Sequence, residues 1–98
     1  MQYSINILFV GRLDTQKNPL GLLEVARKVV EKKSNVKFSL VGDGEFYDLC
    51  KNYIKENNLE KNIYLAGWQT NPGEFYAKAD IVLPKVNLDF FRKAYKVV

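Results

Sequence analysis

The 98-residue sequence contains no histidine and only one cysteine, Cys50. Without histidine there is no histidine-based catalytic triad, and one cysteine cannot make up a Cys/His zinc site. A lone cysteine cannot close an internal disulfide, so a disulfide scaffold is excluded and a reducing compartment fits. No apolar run approaches the ~20 residues that span a bilayer. The start, Met1-Gln2-Tyr3-Ser4-Ile5, has neither a basic opening nor a long apolar stretch, so no secretory signal is expected. Internal repeats, low-complexity segments and linkers are missing too. The length excludes a two-domain enzyme with an interdomain cleft and leaves a single domain spanning residues 1–98.

The hydrophobic share is 47% and the aromatic share 13%, which excludes a disordered chain. A domain of this size buries roughly 65% of the surface its unfolded chain exposes, enough for one modest core. Fifteen Lys and Arg against eleven Asp and Glu give a net charge of +4. That excess reads first as a solvated lysine-rich surface. It would also suit an anionic ligand or an anionic membrane surface.

The chain alternates between two periodicities. Ile5–Val10, Val36–Val41, Asn62–Ala66 and Asp80–Leu83 are short apolar runs closed by glycine or proline, the pattern of buried strands. Between them lie helical patterns. Asn18-Pro19 reads as an N-cap followed by proline at the first helical position, where a missing N–H costs nothing. Leu22, Leu23, Ala26, Val29 and Val30 then form one apolar stripe, and Lys32-Lys33 sit favourably in the last turn. A second stripe joins Phe46, Leu49, Cys50, Tyr53 and Ile54, and Asn57-Asn58 ends it. Cys50 falls within that stripe and reads as a small packing residue. A catalytic thiol would want a basic partner. Asn71-Pro72 repeats the cap-plus-proline signal before a short third helix with Phe75, Tyr76 and Ala79 facing inward. Leu88, Phe91, Tyr95 and Val98 predict a last helix over residues 87–97.

Regular strand–helix alternation implies parallel strands joined by right-handed crossovers. The expected fold is therefore α/β, a Rossmann-like open parallel sheet of about four strands with flanking helices. Such sheets bind ligands at the carboxyl ends of their strands. After the first strand, Gly11 allows a close backbone turn and Arg12 offers a planar donor fork that matches phosphate oxygens. Lys17 follows just before a helix N-terminus, itself favourable to an anion. The same loop reads equally as an ordinary turn with two surface cations. After the second strand, Gly42-Asp43-Gly44 suits a backbone pressed against a ligand, or simply a tight turn. It is not a dinucleotide fingerprint, because Tyr47 stands where the last glycine would be. After the third strand comes Gly67-Trp68. Trp68 either edges a site or covers the sheet end, and packing is the favoured reading.

Gly11-Arg12-Leu13 with Lys17 and Pro19, Val41-Gly42-Asp43-Gly44, Gly67 before a short helix, and Ala79-Asp80-Ile81-Val82-Leu83-Pro84 together carry a resemblance. Over residues 5–84 the chain resembles the C-terminal, donor-binding domain of family 4 (group 1) glycosyltransferases. Each motif is weak alone, and four in this order and spacing are strong. The resemblance implies half of a GT-B fold and transfer from a nucleotide-diphospho-sugar with retention of configuration. It implies no metal and no cofactor, the nucleotide-sugar being a substrate. Arg12 and Lys17 match the cations that hold the donor pyrophosphate. Gly42, Asp43 and Gly44 lie in the loop that matches the nucleotide-binding turn, with Gly11, Gly67 and Trp68 in the neighbouring loops. Fixed cations that bind the leaving diphosphate better as its charge develops lower the barrier. The resemblance also places the parent enzyme in the cytoplasm, with peripheral association at the inner face of the membrane.

Residues 85–98 depart from the family pattern, in which two glutamates eight positions apart contact the sugar and the ribose. No glutamate follows Glu74, and none in the chain has another eight residues on. The acceptor domain of the family is not represented either. The expectation is a partial donor domain, inactive by itself, arising as a truncation, a deliberately cut chain or a subunit completed by a partner chain. The rival reading is a non-catalytic nucleotide-binding or partner-binding subunit. A response-regulator-like or flavodoxin-like domain would want acidic residues clustered after the first strand, where Asp14 stands alone. Nucleic acid is not an expected partner, because the aromatics fall on core faces and not on an exposed platform.

Overall fold

The computed structural model describes residues 4–14 and 18–83. Four strands and three helices alternate: β1 (Ile5–Val10), α1 (Pro19–Lys32), β2 (Val36–Val41), α2 (Tyr47–Glu56), β3 (Ile63–Gly67), α3 (Gly73–Lys78) and β4 (Ile81–Leu83). The strands form one parallel sheet in the order β3-β2-β1-β4. This is the expected Rossmann-like α/β architecture. The third and fourth strands each begin one residue later than their apolar runs, and β3 extends to Gly67. The expected helix over residues 87–97 lies outside the described residues.

Local sequence accounts for the helix ends. The Asn18 side chain accepts from the Gly21 N–H at 3.3 Å, and Pro19 opens α1. At the end of α2, Asn58 takes a left-handed conformation (φ 55°), which asparagine tolerates better than most residues. The Leu59 N–H then reaches back to the Ile54 carbonyl at 2.9 Å and Asn58 to Lys55 at 3.2 Å, closing a Schellman turn. The start of α3 differs from expectation. Pro72 is the cap and Gly73 the first helical residue. Asn71 instead accepts from the Gly73 N–H at 3.2 Å, because its side chain bonds two residues on.

The core lies on one side of the sheet. Phe9, Phe38, Leu40 and Ile63 meet Leu22, Leu23 and Ala26 of α1 and Cys50 and Ile54 of α2. Right-handed crossovers explain this side. The steps β1 to β2 and β2 to β3 run in one direction and put both helices on one face, whereas β3 to β4 runs back across the sheet. Accordingly α3 lies against the other face, where the Phe75 ring stacks on Tyr64 at 6.4 Å between centroids. No residue of α3 is buried. Phe75 and Ala79 are partly covered and Tyr76 is exposed, so the expected inward face of this helix is only partly realised. Leu49 is another departure: it is exposed, and Cys50 and Ile54 carry the buried face of α2.

Candidate functional site

The carboxyl ends of β1, β2 and β3 open into a cleft of about 650 Å³. This volume falls in the range of small-molecule sites, roughly 300–1,000 Å³. Three segments line it: Val10-Gly11-Arg12, Val41-Gly42-Asp43-Gly44, and Trp68-Gln69-Thr70 with Pro72.

Backbone hydrogen bonds continue beyond the strands and tie these segments together. Gly11 donates to the Val41 carbonyl at 3.0 Å, Leu13 to Asp43 at 3.1 Å and Gly42 to Gly67 at 2.8 Å. The approach is so close that a Cβ on Gly42 would run into the Gly11 carbonyl oxygen, and one on Gly44 into that of Leu13. Gly42 also has φ +146°, a region that side chains disfavour. Both glycines therefore admit the neighbouring loop. Their sequence pattern suggested a close ligand or a tight turn; the immediate cause is a backbone 31 residues away in sequence, Gly11 against Gly42. At the end of β3 the register shifts, Leu40 facing Leu65 and Val41 facing Gly67. This bulge, with Gly67 at φ +72°, re-aims the chain towards the cleft.

Leu13 anchors the first loop. It is fully buried, at 0% exposure, and its carbonyl accepts from the Phe46 N–H at 3.0 Å. Arg12 and Asp14 flank it. Arg12 Nε donates to Asp14 Oδ2 at 3.2 Å, with side-chain exposures of 79% and 22%. The N-terminus of α1 does not join this lining. Pro19 has no N–H, and Asn18 takes the Gly21 and Leu22 N–H groups. Asp43 Oδ1 accepts from the Gly44 N–H at 2.8 Å, which holds its own turn.

The structure thus brings Gly11, Arg12, Gly42, Asp43, Gly44 and Trp68 to one cleft. Gly67 stands behind it as a hydrogen-bond acceptor. Lys17 lies outside the described residues. Trp68 is 76% exposed, so it does not pack over the sheet end as favoured from sequence; the bulge at Gly67 turns it out to the cleft edge. Sequence reasoning missed Leu13 as the anchor, although a leucine amid polar loop residues was the available signal. It also left Gln69, Thr70 and Pro72 unassigned. Among the described residues no group of three or more Asp, Glu or Cys side chains could hold a metal ion. Cys50 is buried away from this cleft, and burial pushes its thiol up to about 11, as expected of a packing residue.

Over residues 4–88 the sequence matches the family described as glycosyl transferases group 1. The chain belongs to this family. An Escherichia coli relative is named UDP-Gal:alpha-D-GlcNAc-diphosphoundecaprenol alpha-1,3-galactosyltransferase. It is 40% identical over 81 residues, covering 79% of this chain and 21% of the relative. Among solved structures, a mutant of Staphylococcus aureus TarM in complex with UDP and other ligands superposes with TM-score 0.76 at 32% identity, over 81% of this chain and 16% of that one. The C-terminal domain of the group 1 glycosyltransferase LpcC from Francisella tularensis shares the fold, with TM-score 0.70 at 22% identity over 80% of this chain and 44% of that one. This group 1 chain thus has the Rossmann-like fold of a C-terminal domain. It spans between about an eighth and a fifth of the length of the curated relatives it matches.

Proposed function

We propose that this glycosyltransferase chain binds the diphosphate of a nucleoside-diphosphate sugar in the cleft at the carboxyl ends of β1–β3, as the donor half of a retaining sugar transferase. The observation that carries this reading is the exposed Arg12 fork, set on the cleft wall by the buried Leu13. A guanidinium matches phosphate oxygens in charge and geometry. Lys17 is assigned to the same pyrophosphate from the family motif. Two similar proteins support the ligand class: the TarM structure contains UDP, and the Escherichia coli relative is named for UDP-Gal. That relative's name also supports retention, since UDP-Gal is α-linked and the named product linkage is alpha. The flat exposed ring of Trp68 offers a stacking face for a base.

As the sugar departs, negative charge grows on the diphosphate. A cation already in place stabilises that charge more than the ground state, which is the condition for rate acceleration. No metal is assigned to this step. The 98 residues alone are proposed to bind donor without transferring sugar, since no glutamate follows Glu74 and an acceptor site is not assigned to any residue. The whole enzyme is proposed to work in the cytoplasm at the inner membrane face, because the acceptor in the Escherichia coli relative's name is linked to undecaprenol, a lipid. Among the described residues no helix is long and apolar enough to cross a membrane.

Titration with UDP, GDP, ADP and uridine, read by chemical shifts or calorimetry, tests the reading. The expected result is a dissociation constant of about 1 mM for a nucleoside diphosphate. Arg12→Ala weakens it roughly tenfold or more, as a lost charged hydrogen bond would. Binding of uridine as tight as UDP, or an unchanged Arg12→Ala variant, rejects the diphosphate assignment.

A further inference from the structure

We infer that Asp14 is a positioning residue for the anion site, holding the Arg12 guanidinium by its Nε edge so that the outer edge of the fork is presented to a diphosphate. This rests on the donor-binding reading above and adds a residue to it. The two side chains occupy the same β1–α1 loop, one residue apart from the buried Leu13 on either side. Arg12 lines the cleft and is 79% exposed, whereas Asp14 is 22% exposed and does not line it. The carboxylate thus sits on the protected side of the pair. Arg12 Nε donates to Asp14 Oδ2 at 3.2 Å. A guanidinium has five N–H donors, one on Nε and four on the terminal nitrogens. Only the Nε–H is engaged among the described residues, so the four terminal donors remain for a ligand.

The physical need is clear. An arginine side chain has many rotamers, and an exposed one must lose much of that freedom on binding phosphate. A neighbour that fixes the inner edge lowers that loss before the ligand arrives. The opposing effect is also definite. Asp14 is an anion near an anion site, and if it acts mainly through its field it weakens binding. The sign of the effect therefore separates positioning from repulsion.

The test compares the whole chain with its Asp14→Asn and Asp14→Glu variants. UDP, inorganic pyrophosphate and uridine are titrated at fixed ionic strength, and folding is checked by circular dichroism. The mobility of Arg12 is read from its Nε–Hε relaxation. Positioning predicts about two- to fivefold weaker UDP and pyrophosphate binding in Asp14→Asn, within the range of an exposed ion pair. It predicts unchanged uridine binding, a more mobile Arg12 Nε, and partial recovery in Asp14→Glu. Equal or tighter UDP binding in Asp14→Asn overturns the inference, and so does an equal loss for UDP and uridine, which would mark a general structural role. A wild-type chain that binds neither UDP nor pyrophosphate rejects the donor-binding reading, and this inference with it. A wild-type chain that binds, alongside an unaffected Asp14→Asn, rejects this inference alone.

Discussion

Gly42 and Gly67 both have positive φ, at +146° and +72°, yet they answer to different constraints. At Gly67 nothing lies within 4 Å of an added Cβ, so alanine meets only the backbone cost. That cost is roughly 1–2 kcal/mol. At Gly42 the Gly11 carbonyl blocks the same atom, so the two loops must move apart. Gly42→Ala is expected to destabilise clearly more than Gly67→Ala, by at least about 3 kcal/mol in all. Urea unfolding of the two variants checks the order. Cys50 gives a second prediction at this scale. Its thiol rises from 9.0 to about 11 because burial disfavours the thiolate. Between those pH values the unfolded chain loses its proton while the native chain keeps it, so stability falls as pH rises. Below pH 9.0 both states are protonated and the group has no effect on the slope. Denaturation at pH 8 and pH 11 should show wild type losing about 2 kcal/mol more than Cys50→Ala. An equal loss in both proteins would place the alkaline sensitivity elsewhere.

At the scale of elements, the β1–α1 loop is held less by its own turn chemistry than by Leu13 in the core. Leu13→Ala is expected to cost about 2–4 kcal/mol, the usual range for a buried leucine. The same change should weaken UDP binding, because Arg12 and Asp14 flank the anchor. Parallel urea and UDP titrations check both effects, and full-strength binding at lowered stability would separate the anchor from the site. Most elements were legible in the sequence. Apolar runs closed by glycine or proline marked the strands, Asn18-Pro19 marked the start of α1, and Asn57-Asn58 marked the end of α2. These signals act within a few residues, so a linear reading finds them. The inward face of α3 and the place of Leu49 were less legible. A hydrophobic stripe shows which side of a helix is apolar, but the extent of its burial depends on what packs against it.

For the whole molecule, a ligand that binds only the folded state raises stability by mass action. UDP at ten times its dissociation constant should add about 1.4 kcal/mol, or roughly 5–10 °C in Tm for a domain of this size. Uridine at the same concentration should do much less, as differential scanning fluorimetry can read; equal shifts would argue against a diphosphate site. The positions of the candidate site were legible from order alone, since ligands gather at the carboxyl ends of parallel strands and those loops could be named. Their roles were not. By itself the sequence determined the alternation of strands and helices, the helix caps, the absence of histidine chemistry and the family motifs, all of them properties of residue type and short spacing. Only the tertiary structure decided that Gly42 and Gly44 make room for the loop of β1, that Trp68 faces outward and that Leu13 is an anchor. It also paired Asp14 with Arg12, which short spacing permits but does not select. Apart from that local pair, those outcomes turn on β1, β2 and β3 lying side by side in one sheet, with hydrogen bonds and close contacts between residues far apart along the chain.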